Sequence, residues 1–148
     1  NFVLAVVIFG FGYTFSAQQQ YRNAVAAAPS NEHSMAVLDL AGEENIPDIT
    51  SIELIPETAD SNSYNLRVTI DNFTFTPEET GEPASPNSGH AHIYVNGEQV
   101  GRMYGEWAYL GAFPPGEYEI AVTLNGNDHT EFVVNGQLIA AETSLVVE

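Results

Sequence analysis

From Ile49 to Val147 the chain is written in short runs in which apolar and polar residues take turns. A period of two turns one set of side chains to a buried face and the other to water, so the pattern reads as strands. It predicts them over Ile49–Ile55, Tyr64–Ile70, Phe73–Thr76, His90–Val95, Gln99–Tyr104, Tyr118–Leu124, Glu131–Val134 and Thr143–Val147. Turn chemistry separates the runs at Pro77, Pro83-Ala-Ser-Pro86, Asn96-Gly97, Pro114-Pro-Gly116, Asn125-Gly126 and Asn135-Gly136. Short strands at this spacing predict an all-β, antiparallel sandwich. The segment 45–148 holds roughly one hundred positions, enough for one compact domain and not for two.

The opening of the chain follows another pattern. Phe2 to Ala17 is apolar or small almost throughout and carries no charge. As a helix these sixteen positions span roughly 24 Å, somewhat less than the ~30 Å hydrocarbon core of a bilayer. The first residue is Asn1, and with residues upstream of it the run is expected to cross a membrane. Its length also suits a signal peptide, but Phe15-Ser16-Ala17 lacks the small residue three positions before a cleavage point, which favours a retained anchor. Helix formers from Gln18 to Ala28 are expected to extend that helix to Pro29, with Tyr21 and Arg22 at the interface. The predicted organisation is a transmembrane anchor over 1–28, a linker over 29–44 and an extracytoplasmic domain over 45–148. Gly10 and Gly12 would allow close approach of a neighbouring helix, so an integral membrane protein or multisubunit membrane complex is the expected partner.

Charge narrows the choice of function. The formal net charge is −17, with three arginines (Arg22, Arg67, Arg102) and no lysine. Such a surface repels phosphates, which sets nucleic-acid binding aside and favours cations and basic partners. There is no cysteine, no Gly-x-Ser-x-Gly elbow, no phosphate-cradling glycine loop and no His-Glu-x-x-His helix, so the chain is not expected to be an enzyme. Without a thiolate, a blue-copper electron-transfer centre is not expected either.

The candidate chemistry lies in the histidines and methionines. His33-Ser-Met35 precedes the domain, His90-Ala-His92 leads toward Met103, and His129 follows Asn125-Gly-Asn-Asp128. Asn96-Gly97 is the strongest short hairpin signal, a two-residue type I′ turn. If it pairs Val95 with Glu98, an unbroken register sets His90 opposite Met103 and His92 opposite Gly101, with both imidazoles on one face. Directly opposed Cβ atoms are about 4.5–5.5 Å apart, close enough for two imidazoles and a thioether to share an ion. Asp128 is expected to hold the second ring nitrogen of His129. The loop Pro77–Gly89 runs straight into His90, where it would cover the ligands or receive a partner. Each residue also has a plainer reading: a histidine pair on an exposed strand face, a core methionine, a turn histidine.

The segments Gly89-His-Ala-His-Ile-Tyr-Val-Asn-Gly97, Leu110-Gly-Ala-Phe-Pro-Pro-Gly116, Ile120-Ala-Val-Thr-Leu124 and Asp128-His129 resemble the periplasmic copper-chaperone (PCuAC-like) group. The resemblance covers about 63–148 and implies an Ig-like or cupredoxin-like sandwich whose metal ligands are His90, His92, Met103 and His129. The ligand spacing departs from the group's usual one, a second methionine near His129 is missing, and the anchor is atypical. The implied function is a membrane-anchored, single-pass protein that binds copper as Cu(I) or Cu(II), with zinc second, on the periplasmic or extracellular side. It would act as a chaperone or copper-supply module for a membrane partner. The alternative is a structural accessory subunit of a respiratory or photosynthetic membrane complex with no metal role.

Overall fold

A computed structural model describes residues 36–148; the expected anchor helix, His33 and Met35 lie outside the described residues. Among the described residues no helix is long and apolar enough to cross a membrane. Eleven strands run in chain order: β1 Val37–Asp39, β2 Asp48–Pro56, β3 Ser63–Asp71, β4 Thr74–Phe75, β5 Ser88–Val95, β6 Glu98–Met103, β7 Trp107–Ala112, β8 Gly116–Asn125, β9 Glu131–Val134, β10 Gln137–Leu138 and β11 Ala140–Val147. β2, β3 and β7 form a three-stranded sheet. The remaining eight form the second sheet, whose centre is β5 against β8, with β6 beside β5 and β11 beside β8.

The two sheets close on one apolar core. From β3 come Tyr64, Leu66 and Val68; from β5, Ala91 and Ile93; from β8, Ile120, Val122 and Leu124; Phe132 and Leu145 join them. Each such large aliphatic side chain taken from water contributes about 1.5–3 kcal/mol, which makes the alternation the main determinant of the architecture. All eight strands expected from the alternation are present, and three more accompany them. β7 reads Trp-Ala-Tyr-Leu-Gly-Ala, apolar on both faces because Trp107 and Tyr109 stand in solvent, so it offers no alternation to detect.

Two features depart from the sequence reading. Part of the expected linker belongs to the folded domain: β1 pairs with β9 in parallel, and Leu40 is only 1% exposed within the core. The sandwich is antiparallel except for two short parallel pairs, β1 with β9 and β4 with β5.

The strands β5 and β8 are buried on both faces, and this creates the functional layer. Their second face presents His90 opposite Asn125, His92 opposite Thr123 and Tyr94 opposite Ala121. Tyr94 and Ala121 pack there with Leu138 as a small separate apolar cluster. A residue turned to this face is as dry as one in the main core, so any polar group on it needs a partner.

Candidate metal centre

His90 and His92 stand two residues apart on β5, hence on one face, and are 0% and 2% exposed. Their Nε2 atoms lie 2.9 Å apart. His129 reaches the same point from the turn after β8, its ring centroid 5.0 Å from that of His90 and 5.7 Å from that of His92, nearly parallel to the latter. One ligand nitrogen from each of the three lies within 4.8 Å of the others, close enough to hold a metal ion. A tetrahedral ion about 2.0–2.1 Å from each nitrogen sets pairs of them about 3.3 Å apart, a spacing the two Nε2 atoms approach.

The turn that delivers His129 is tightly specified. His129 has φ 69°, in the left-handed region that few non-glycine residues but His, Asn and Asp enter, and its N–H donates to the carbonyl of Gly126 while the N–H of Gly126 donates to the carbonyl of Thr130. The Asp128 carboxylate accepts from the backbone N–H of Thr130 at 3.0 Å and from that of Ala84 at 3.1 Å. It therefore fixes the turn and does not grip the His129 ring as the sequence suggested. The loop after Pro77 supplies the other half of the clamp: Gly81 donates to the carbonyl of Asn127, and the Asn127 amide donates to the Thr76 hydroxyl at 2.7 Å. That loop is thus the brace for the third histidine.

Gly89 is required where β5 enters the site. Its φ is +153°, and a Cβ placed there would lie 2.0 Å from the carbonyl oxygen of Asn125. Gly89→Ala is expected to force β5 from β8 beside His90, costing about 2–4 kcal/mol in urea unfolding and weakening metal binding beyond that loss. Unchanged stability would show that the strands do not approach so closely.

Met103 is not part of this group. β6 carries an extra residue, Val100, so that Tyr94 pairs with Gln99 but Ile93 pairs with Gly101, His92 with Arg102 and Ala91 with Met103. The hairpin turn itself matches the expectation, with Val95 opposite Glu98 and positive φ at Asn96 and Gly97. The one-residue shift after it sends Met103 to the other face, where it is 2% exposed in the main core with Ala91. Arg102 takes the place beside His92 that the unbroken register gave to Gly101.

The electrostatics suit metal ligation. Burial lowers the His92 pKa from 6.5 to about 3, with the neighbouring His90, His129 and Arg102 acting in the same direction. Burial lowers His90 to about 4, aided by His129 and Arg102, while the Asn127 side chain opposes the shift. His129 is lowered too, by burial and Arg102, with Asp128 opposing. All three rings are therefore neutral near pH 7, the form that binds metals.

Four of the five buried side-chain atoms with no hydrogen-bond partner among the described residues belong to this cluster: Nδ1 of His90, Nδ1 of His92, Nδ2 of Asn125 and Oδ1 of Asn127. Buried polar atoms without partners cost about 1–3 kcal/mol each; the Asn127 side chain acts on His90 as a weak hydrogen-bond partner, which leaves His92 Nδ1 and Asn125 Nδ2 as the clearer unmet groups of the cluster. Asn125 and Asn127 carry no sequence signal for this role beyond their place in the turn Asn125-Gly-Asn-Asp-His129. Comparison of the chain with known protein families and with curated proteins finds no match.

Proposed function

We propose that the protein is a copper-binding module whose single ion is held by His90, His92 and His129. The observation that carries this reading is the convergence of three histidines, two buried and His129 partly exposed, with nitrogens within 4.8 Å of one another. Imidazole suits copper, zinc, iron and nickel, and among divalent ions a given nitrogen site binds copper most tightly. With the thioether of Met103 turned into the core, the donor set is harder than the sequence suggested and favours Cu(II) over Cu(I).

The lack of cysteine and the charge-free run from Phe2 to Ala17 support placement outside the reducing cytoplasm, tethered to a membrane partner that receives or supplies the copper. Elemental analysis and calorimetric titration of the metal-stripped protein test the reading: about one copper per chain is expected, bound more tightly than zinc. A protein that takes up neither ion overturns the metal reading and leaves the structural accessory subunit as the reading to test, with exposed Trp107 and Tyr109 as the residues to vary in its docking.

A further inference from the structure

The bulge at Val100 places a cationic side chain beside a cation site. Arg102 is directly opposite His92 in the β5–β6 register, which puts the two side chains on the same face, and its charge is felt by all three histidines. It is one of three basic residues in a chain of net charge −17. The other described one, Arg67, pairs with Glu53 at 3.7 Å and stacks over Trp107, whereas Arg102 makes no ion pair among the described residues. A guanidinium here lowers the affinity of the bare site for a positive ion, and carboxylates are abundant enough in this chain to have taken its place. The arrangement becomes favourable when an anion lies between the two positive charges.

The histidine set leaves a coordination position for such an anion. Three imidazoles fill three positions of a four-coordinate ion and leave one open. His90 and His92 are sealed from water, but Arg102 is exposed and His129 partly so, which makes their side of the cluster the one nearest to solvent. The ring of Tyr104, with its centroid 5.3 Å from that of His90, bounds the same face. Guanidinium presents its N–H groups as a planar fork that matches two oxygens of a planar anion, which a point charge such as lysine does not.

We propose that Arg102 seats a carboxylate or carbonate ion on the open coordination position of the metal, making the site a joint metal-and-anion centre. This rests on the three-histidine reading above and deepens it. The shared recognition chemistry is a planar pair of oxygens, one toward the metal and one or both toward the guanidinium.

The test uses the copper-loaded protein and follows its Cu(II) electron paramagnetic resonance and visible spectra while acetate, and separately bicarbonate, is added. Both wild type and Arg102→Gln are titrated, with Arg102→Lys as a variant that keeps the charge and loses the fork. Copper affinity is measured first for each. Expected is a spectral change in the wild type, an anion dissociation constant raised at least tenfold in Arg102→Gln, an intermediate value in Arg102→Lys, and copper affinity in Arg102→Gln equal to or tighter than in the wild type. A response to acetate alone assigns a carboxylate ligand, and one to bicarbonate alone assigns carbonate. Copper bound normally with no anion response, or with equal anion affinity in Arg102→Gln, overturns this proposal and leaves the histidine centre standing. A wild type that binds no copper overturns both.

Discussion

Replacing His92 with alanine is expected to lower copper affinity at least a hundredfold and to remove most of the thermal stabilisation that copper confers. Loss of a residue that merely supports a metal ligand commonly costs 10–100-fold, and a buried ligand costs more. Copper at a thousand times its dissociation constant stabilises the native state by about 4 kcal/mol, which raises the melting temperature of a domain this size by roughly 15 °C. With its affinity lowered a hundredfold, His92→Ala should keep only about 1.4 kcal/mol of that stabilisation, and so no more than about a third of the rise, at the same copper concentration, as read by differential scanning calorimetry with and without the metal. The informative control is Met103→Leu. Met103 packs with Ala91 in the main core, so this near-isosteric change should cost less than about 1.5 kcal/mol and leave copper affinity unchanged. A tenfold loss in Met103→Leu would put the thioether back among the ligands and the β6 register in error.

The contrast between those two residues shows where local sequence reasoning reaches its limit. Asn96-Gly97 identified the hairpin and its first pair because a type I′ turn needs positive φ at two adjacent positions, which Asn and Gly supply most readily. The i, i+2 spacing of His90 and His92 placed them together for an equally local reason. The next step failed because the extra residue at Val100 carries no marker: Gln99-Val100-Gly101 alternates as an unbroken strand does, and the bulge arises from pairing with β5. A single-residue shift is enough to turn Met103 inward and Arg102 outward.

His129 was legible as a strand-entry histidine near the hairpin, but what holds it was not. The backbone amides of Ala84 and Thr130 capture the Asp128 carboxylate, and Thr76 captures Asn127 across 51 positions of sequence. These bonds are non-local, and no periodicity foretells them. The sandwich was recoverable because burial writes itself into alternation, except at β7, where solvent-facing aromatics mask it, and at the short strands β1 and β10.

Acid is expected to destabilise the metal-free domain well above the range in which its carboxylates titrate. An imidazole in the unfolded chain takes its proton near pH 6.5, whereas in the folded domain His90 does so at about 4 and His92 at about 3. Both folded values are depressed, so the unfolded state binds the extra protons as pH falls. Stability is therefore complete above about pH 6.5 and declines through the window down to 4 and then 3. At about 1.4 kcal/mol per unit and ring, urea unfolding at pH 4.5 should give a free energy about 3–5 kcal/mol below that at pH 7.

His129, lowered in the same direction by burial and Arg102, adds to this window, whereas the shifted carboxylates do not produce it. Asp39 and Asp128 are held below 3.8 in the fold, Asp39 chiefly by the backbone N–H of Ala41 and Asp128 by Thr130 and Ala84 against the opposing effect of burial, so their contributions fade only at lower pH. Glu142 is raised by burial and by Glu119, which acts in the opposite sense, since protonation then relieves the folded state. The double variant His90→Gln, His92→Gln should accordingly flatten the profile between pH 6.5 and 4.5. An unchanged slope in that variant would show that the protons bind elsewhere. The same low proton affinity has a consequence for the metal: at pH 5 an exposed histidine is mostly protonated and a poor ligand, while these two rings stay neutral. Protonation of these two rings should therefore cost less than tenfold in copper affinity between pH 7 and pH 5, and a larger loss would report proton binding at His129, a comparison that competition with a chelator of known affinity at each pH measures directly.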